Sequence, residues 1–139
     1  MIFLDTSSAI EILNGAVTLE EVLNKFKTDK FGITSPSIFE LFLGIYKLKY
    51  LKKKISKQEY QRLNGDLKKF INRLETFSLN ENAANLGAKI HMKLKGKGQE
   101  IDIFDCLISA VILTNEFKEI ITNNRKHFEK IEDLIVYSF

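Results

Sequence analysis

Cysteine, proline and tryptophan are almost absent from this chain of 139 residues, which has one cysteine, one proline and no tryptophan. The single cysteine, Cys106, excludes an internal disulfide and is typical of proteins of the reducing cytoplasm. The two histidines lie far apart in the sequence, so a zinc site built from Cys and His ligands is not expected. These absences favour a cytoplasmic protein that folds without cross-links or structural zinc.

Long apolar segments are absent as well. The longest uncharged apolar run, CLISAVIL, is far too short to span a bilayer. The chain begins MIFLD, without the basic residues and the apolar stretch that form a signal peptide. We therefore expect no association with a membrane. The length is that of one domain, so residues 1–139 are expected to form a single folded unit.

Charge is unevenly distributed along the chain. Charged residues make up 28% and hydrophobic residues 45%, the composition of an ordinary folded protein. The net charge of +3 combines a basic segment, Lys47–Arg73, with a mildly acidic remainder. A basic segment can attract a polyanion such as nucleic acid, although a lysine-rich helix face is often no more than a solvated surface.

Short apolar runs alternate with helical patterns. Runs of this kind between helices are typical of parallel strands that are covered on both faces. The sequence therefore predicts a three-layer α/β/α domain with a central parallel sheet of four to five strands. The predicted strands are 2–4, 31–34, 76–79, 119–121 and 134–139. The predicted helices begin at Ser7 or Ser8 and at Ser35, and cover 19–26, 56–74, 80–95, 103–115 and 125–130.

Polar residues cluster where the predicted strands end or the next helices begin. Glu40 is the most conspicuous, because it is the one charged residue in SPSIFELFLGI, Ser35 to Ile45. Carboxyl ends of parallel strands share one edge, where ligands bind in such sheets. Each residue alone also has an ordinary explanation as a turn, a helix cap or a solvated position. The candidates are Asp5, Thr6, Ser7, Glu40, Asp102, Asp105, Thr122 and Asn124.

Carboxylates that converge in an apolar setting raise each other's pKa unless a cation lies between them. Oxygen ligands without His or Cys favour Mg²⁺ or Mn²⁺. Such an ion activates water and stabilises charge on a phosphodiester. The pattern therefore predicts a divalent metal site suited to phosphodiester hydrolysis.

Four segments together resemble the PIN-domain family and, within it, the VapC-type toxins of toxin–antitoxin modules. The segments are FLDTSSAIEIL, SIFELFLGI, GQEIDIFDCLISAVIL and IITNNRKHFEKIEDLIVYSF, and the resemblance runs from the first predicted strand to the last residue. It implies a metal-dependent endoribonuclease that hydrolyses RNA with a water activated by Mg²⁺ or Mn²⁺.

The resemblance also implies roles for individual residues. Asp5, Glu40 and Asp105 match the three acidic metal ligands of the family. Thr122 and Asn124 match its final T-x-D/N pair, where an amide adds no negative charge.

Further roles follow from the same resemblance with less specificity. Asp102 matches an acidic position of part of the family and is a weaker metal candidate. Thr6 or Ser7 is expected to support the site by a hydrogen bond to Asp5 or to a metal-bound water. His127 and Phe128 are expected to serve packing and the helix end, and Cys106 to be a small core residue.

The implied partners are an RNA substrate, a cognate antitoxin protein and a second copy of the chain in a homodimer. Lysines of the basic segment, in particular Lys52, Lys53 and Lys54, are candidates for contacting the RNA backbone. The apolar first half of the chain is a candidate groove for the antitoxin.

Two alternatives remain open. One is a PIN-like module without catalysis that binds RNA or acts as a scaffold. The other is a receiver-like phosphoacceptor, which would need an acidic neighbour for Asp5 and a lysine at the end of a late strand. The late strands instead end in TNN and YSF.

Overall fold

A computed structural model of the chain describes all residues from 1 to 139 and contains five strands and seven helices. The strands are β1 Ile2–Leu4, β2 Phe31–Thr34, β3 Glu75–Phe77, β4 Glu119–Ile121 and β5 Ile135–Tyr137. The helices are α1 Thr6–Leu13, α2 Leu19–Lys25, α3 Ser35–Tyr46, α4 Lys57–Asn72, α5 Glu81–Gly96, α6 Ile103–Thr114 and α7 Arg125–Phe128. A π-helical turn, Lys47–Lys52, follows α3 directly.

The five strands form one parallel sheet in the order β3-β2-β1-β4-β5. This confirms the predicted α/β fold and the upper value of the predicted strand number. The strand order changes direction at β1, which makes the carboxyl edge beside β1 the topological switch point. A receiver-like sheet would have the order 2-1-3-4-5, so the strand order does not support that alternative.

Successive residues of β1 face different cores, because side chains alternate across a strand. Ile2 and Leu4 join a core that includes residues of α1, α2, α3 and α4. Phe3 joins a second core that includes residues of α5, α6 and α7. Each face of the sheet is therefore covered by helices, and the molecule has the three layers that the sequence predicts.

The helix that follows β1 begins earlier than predicted. The backbone N–H of Ser8 donates to Asp5 Oδ1 at 2.9 Å, so Asp5 is the N-cap of α1 and the predicted caps Ser7 and Ser8 are wrong. Asp5 is therefore the single residue between the end of β1 and the start of α1, and it caps that helix. The predicted cap of α2, Thr18, is confirmed, and its hydroxyl accepts from the N–H of Glu21 at 3.1 Å.

Two further differences concern a strand at the margin of the sheet and the segment after α3. Strand β3 is placed one residue before the predicted start and ends two residues before the predicted end. Its first two residues are exposed, so no apolar pattern marks its limits. The π-helical turn has no counterpart in the prediction. None of the helices combines the length and the apolar character needed to cross a membrane.

Candidate metal centre at the carboxyl edge of the sheet

Asp5 lies at the end of the central strand and is 2% exposed. Three donors hold its carboxylate: the N–H of Ser8, the Ser7 hydroxyl at 2.8 Å and the Thr122 hydroxyl at 2.6 Å. Thr122 follows β4, the neighbour of β1 in the sheet, which explains how a residue so distant in sequence reaches Asp5. Ser7 thus contacts the carboxylate that it was predicted to support, and its role in the site stays a prediction.

The loop after β4 forms hydrogen bonds to the hydroxyls of Ser7 and Thr122. The N–H of Asn123 donates to Ser7 Oγ at 3.0 Å, and the N–H of Asn124 donates to Thr122 Oγ1 at 2.8 Å. Asn124 itself is exposed and its side chain forms no hydrogen bond. The structure therefore brings Thr122 into the site, whereas the role of Asn124 as a metal ligand stays a prediction.

Glu40 sits on the second turn of α3, where it is partly buried, and the Thr6 hydroxyl donates to its Oε1 at 2.6 Å. Thr6 is the first residue of α1, next to Asp5. The contact therefore joins the helix after β2 to the helix after β1. No lysine or arginine pairs with Glu40, so its position among apolar residues is not explained by an ion pair.

Asp105 lies in the first turn of α6 and is 8% exposed. Its Oδ2 is 2.7 Å from Nδ1 of His127, which belongs to the short helix α7. His127 was expected to serve packing and the helix end; it does lie in the last turn of α7, but its ring also contacts a candidate metal ligand, which was not expected. Phe128 and Cys106 are fully buried, as predicted.

The pKa values of the three carboxylates share one direction. Burial raises the pKa of Asp5 and of Asp105, against hydrogen bonds that lower them. Burial also raises the pKa of Glu40, and the charges of Asp105, Asp102 and Asp5 raise it further. The acids therefore lie within one electrostatic neighbourhood, as their common edge of the sheet predicts.

Asp102 is the most exposed acid of the group and caps α6, accepting from the N–H of Phe104 at 2.8 Å. This cap explains its position without a metal, although its charge acts on Glu40 and Asp105.

The donor set fits a hard divalent cation in its chemistry. No three Asp, Glu, His or Cys side chains are arranged closely enough to hold one ion directly. The carboxylates are nevertheless desolvated, repel one another and form no ion pair with lysine or arginine. Mg²⁺ usually keeps several of its waters and needs only one or two protein carboxylates. Asp5, Glu40 and Asp105 offer carboxylates of this kind, and their role as metal ligands stays a prediction.

The basic segment is solvent-exposed where it was predicted to contact RNA. Lys52, Lys53 and Lys54 are exposed at the end of the π-helical turn, and Lys53 has a left-handed backbone with φ of 49°. Lys49 lies 3.8 Å from the centre of the Tyr60 ring, which attaches this turn to α4. None of these lysines touches the carboxylates, so their contact with RNA stays a prediction.

Comparison with known proteins identifies the family. The model of the PIN domain matches residues 2–134, so the chain belongs to the PIN-domain family. No curated protein sequence matches it significantly.

Several solved structures share its fold over nearly the whole chain. A chain of the DNA-bound VapBC complex of Salmonella typhimurium is 25% identical, with a TM-score of 0.80 and coverage of 99% of this chain and 98% of that chain. A chain of VapBC2 from Rickettsia felis, bound to a promoter DNA fragment, is 24% identical, with a TM-score of 0.80 and coverage of 100% and 99%. VapBC-5 from Mycobacterium tuberculosis is similar at 21% identity, a TM-score of 0.67 and coverage of 99% and 96%.

These relatives confirm the resemblance to VapC-type PIN domains that was inferred from the sequence motifs. The fold and the family together support a VapC-type toxin nuclease as the class of this protein.

Proposed function

We propose that this protein is a metal-dependent endoribonuclease and the toxin of a VapBC-type toxin–antitoxin system. The observation that carries the proposal is the group of desolvated carboxylates, Asp5, Glu40 and Asp105, at the switch point of a PIN-domain sheet. Burying carboxylates that have no lysine or arginine partner costs folding free energy. Stability alone therefore does not explain why these acids are present.

In this proposal Asp5, Glu40 and Asp105 hold Mg²⁺ or Mn²⁺, with Asn124 and Asp102 as weaker candidates. The bound ion supplies Lewis acidity that activates water and offsets negative charge on the phosphodiester. The chain's own hydroxyls orient the ligands: Ser7 and Thr122 hold Asp5, and Thr6 holds Glu40. Orientation by hydrogen bonds of this kind raises the affinity of a ligand set for its ion.

The proposed partners are an RNA substrate, an antitoxin protein and a second copy of the chain. The VapBC relatives are complexes of a toxin with its antitoxin, which supports the protein partner. Lys52, Lys53 and Lys54 support contact with the RNA backbone, since they are exposed and lie in the basic segment.

The apolar residues suggested for a partner groove separate into two groups. Leu19 and Val22 of α2 are buried in the core and are inaccessible to a partner. An exposed apolar stripe runs instead along α3 and the π-helical turn, formed by Phe39, Leu43, Tyr46, Tyr50 and Leu51. Exposed apolar patches of this kind mark interaction surfaces, so the stripe supports a protein partner on this face.

The test is cleavage of a fluorogenic RNA by purified protein in Mg²⁺, in Mn²⁺ and in EDTA. An Asp105→Asn preparation purified in parallel controls for contaminating ribonuclease. Metal-dependent cleavage that disappears in Asp105→Asn supports the proposal, whereas equal activity in both preparations identifies a contaminant. Absence of cleavage by wild-type protein on a panel of RNAs, with Mn²⁺ binding also absent, supports the alternative of a catalytically silent RNA-binding or scaffold module.

A further inference from the structure

His127 is the one side chain that brings a nitrogen into contact with a carboxylate of the candidate metal centre. Its Nδ1 lies 2.7 Å from Asp105 Oδ2, a distance typical of a charge-assisted hydrogen bond. The side chain of Asp105 is 11% exposed and that of His127 is 43% exposed. The ring therefore covers one oxygen of the carboxylate and keeps its other edge open to solvent. Asp105 Oδ1 accepts no hydrogen bond from any protein group.

The backbone around His127 holds the ring in place. Its N–H donates to Asn124 O at 3.0 Å, and the next residue, Phe128, is fully buried in the core beneath α6. Phe128 thus anchors α7. The ring of His127, the residue before it, then lies against the first turn of α6. A histidine that served packing alone would bury its ring, as Phe128 does.

We propose, on the basis of the proposed function, that His127 is a positioning residue that fixes the orientation of the Asp105 carboxylate through Nδ1–H and so raises the affinity of the site for its divalent ion. A carboxylate on a helix can rotate about its terminal bond, and a fixed donor on one oxygen limits that rotation. Outer hydrogen-bond partners of metal ligands act in this way, and their loss typically costs about 10- to 100-fold in metal affinity or activity.

The electrostatics of Asp105 point in the same direction. Burial raises its pKa, and the hydrogen bond from His127 is the strongest contribution that opposes this rise. The histidine therefore favours the charged carboxylate, which is the form that binds a cation.

Two amide substitutions separate the role of Nδ1 from that of the rest of the ring. Asparagine places its amide nitrogen near the position of Nδ1, whereas glutamine places it near the position of Nε2. We expect His127→Asn to keep the Mn²⁺ affinity of the metal-free protein within about threefold. We expect His127→Gln and His127→Ala to weaken it about 10- to 100-fold. The affinity is measured by electron paramagnetic resonance of free Mn²⁺, which does not depend on cleavage.

Three further measurements complete the test. Thermal melting establishes that each variant folds, and the Asn and Gln variants decide the question if His127→Ala does not. RNA cleavage over a Mn²⁺ titration is expected to show that excess Mn²⁺ restores much of the rate to His127→Gln. Long-range ¹H–¹⁵N spectra of the wild-type ring are expected to show a proton on Nδ1.

The outcomes distinguish this inference from the proposed function. Wild-type protein that cleaves RNA, together with equal Mn²⁺ affinities in all His127 variants, overturns the inference and leaves the proposed function standing. Wild-type protein that neither binds Mn²⁺ nor cleaves overturns both. Loss of affinity in His127→Asn equal to that in His127→Gln also overturns the role of Nδ1.

Discussion

At the scale of single residues, the charge of Glu40 is unfavourable for the stability of the folded protein. Glu40 is repelled by the charges of three other acids and has one hydrogen bond, from Thr6. Its pKa in the folded protein is above its ordinary value of 4.5. The folded state therefore binds more protons than the unfolded state in the window above pH 4.5. The contribution of Glu40 to stability therefore falls as the pH rises through that window.

We expect Glu40→Gln to reduce cleavage by about 100-fold or more while melting at least as high as the wild type at pH 7 without divalent ions. Glutamine can still accept from Thr6, but it has no charge to desolvate. Melting between pH 4 and 8 in EDTA measures the effect, and the advantage of Glu40→Gln over wild type should grow as the pH rises.

Glu132→Gln is the matched control, since Glu132 is exposed and forms no hydrogen bond or ion pair through its side chain. It should leave both cleavage and the melting profile unchanged. A Glu40→Gln protein that melts lower than wild type at pH 7 would show that the charged form of Glu40 stabilises the fold.

The residues of the site differ in how far the sequence reveals them. Asp5, Glu40 and Asp105 follow from strand ends and helix starts that share one edge of a parallel sheet. His127 does not, because a four-residue helix has no periodicity that would indicate which way its ring points. Its partner Asp105 lies 22 positions away on another element, and only the packing of α7 brings the two side chains together.

At the scale of elements, Gly32 of β2 leaves space for the ring of Phe3, its neighbour on the paired strand β1. A Cβ added at Gly32 would lie 2.7 Å from the ring of Phe3, which is fully buried and packs against Phe77 and Phe117. A Cβ added at Gly65, inside α4, would meet nothing within 4 Å.

We expect Gly32→Ala to destabilise the protein by about 1–3 kcal/mol, because the ring of Phe3 must move in a packed core. Gly65→Ala should instead stabilise it by about 0.5–1 kcal/mol through helix propensity. Urea unfolding measures both. Equal effects at the two positions would contradict the close packing of Phe3 against β2.

The π-helical turn and the residues after it, which join α3 to α4, are predicted to contact RNA. Reversing the charge of Lys52, Lys53 and Lys54 together should weaken RNA binding and lower the salt dependence of affinity. The logarithmic slope should fall by about 0.7 for each RNA phosphate that these lysines neutralise in the wild type. Filter binding of a single-stranded RNA to Asp105→Asn protein measures this without cleavage.

Reversal of Lys25, Lys27 and Lys30, which are exposed on and after α2, provides a control of equal charge. An equal reduction of affinity in both variants would assign the effect to net charge alone. Unchanged binding at low salt would identify the Lys52–Lys54 segment as a solvated surface.

The sequence indicates most elements, and it fails where burial provides no pattern. The limits of β4 are predicted correctly because the apolar pair Ile120 and Ile121 stands between the polar residues Glu119 and Thr122. Strand β3 is displaced because Glu75 and Thr76 at the margin of the sheet are exposed. The π-helical turn was not predicted, since its side chains are exposed or only partly buried.

At the scale of the whole molecule, the exposed stripe on α3 and the π-helical turn is the surface proposed above for contact with a protein partner. Leu51 is 78% exposed and Tyr50 61% exposed, values that are unfavourable for an isolated chain in water. We expect Leu43→Glu with Leu51→Glu to shift the protein from dimer toward monomer, as measured by light scattering after gel filtration.

Met92→Glu is the control, because Met92 is 59% exposed on α5 and lies outside the stripe. It should leave the mass unchanged. A wild-type protein that is monomeric at micromolar concentration would contradict the proposed homodimer and leave the stripe to the antitoxin.

The hydrogen bonds of the site also order events during synthesis. Asp5 precedes its partner Thr122 by 117 positions, and the backbone N–H of Thr122 donates to Tyr137 O at 2.9 Å. The loop that carries Thr122 is thus secured only when β5 has been translated and has paired with β4. Synthesis runs from the N-terminus, and a domain generally folds as a unit. A nascent chain therefore carries Asp5 and Glu40 before Thr122 and β5 have been synthesised, and the hydrogen bond from Thr122 to Asp5 can be held in place only after the last strand of the sheet has been added.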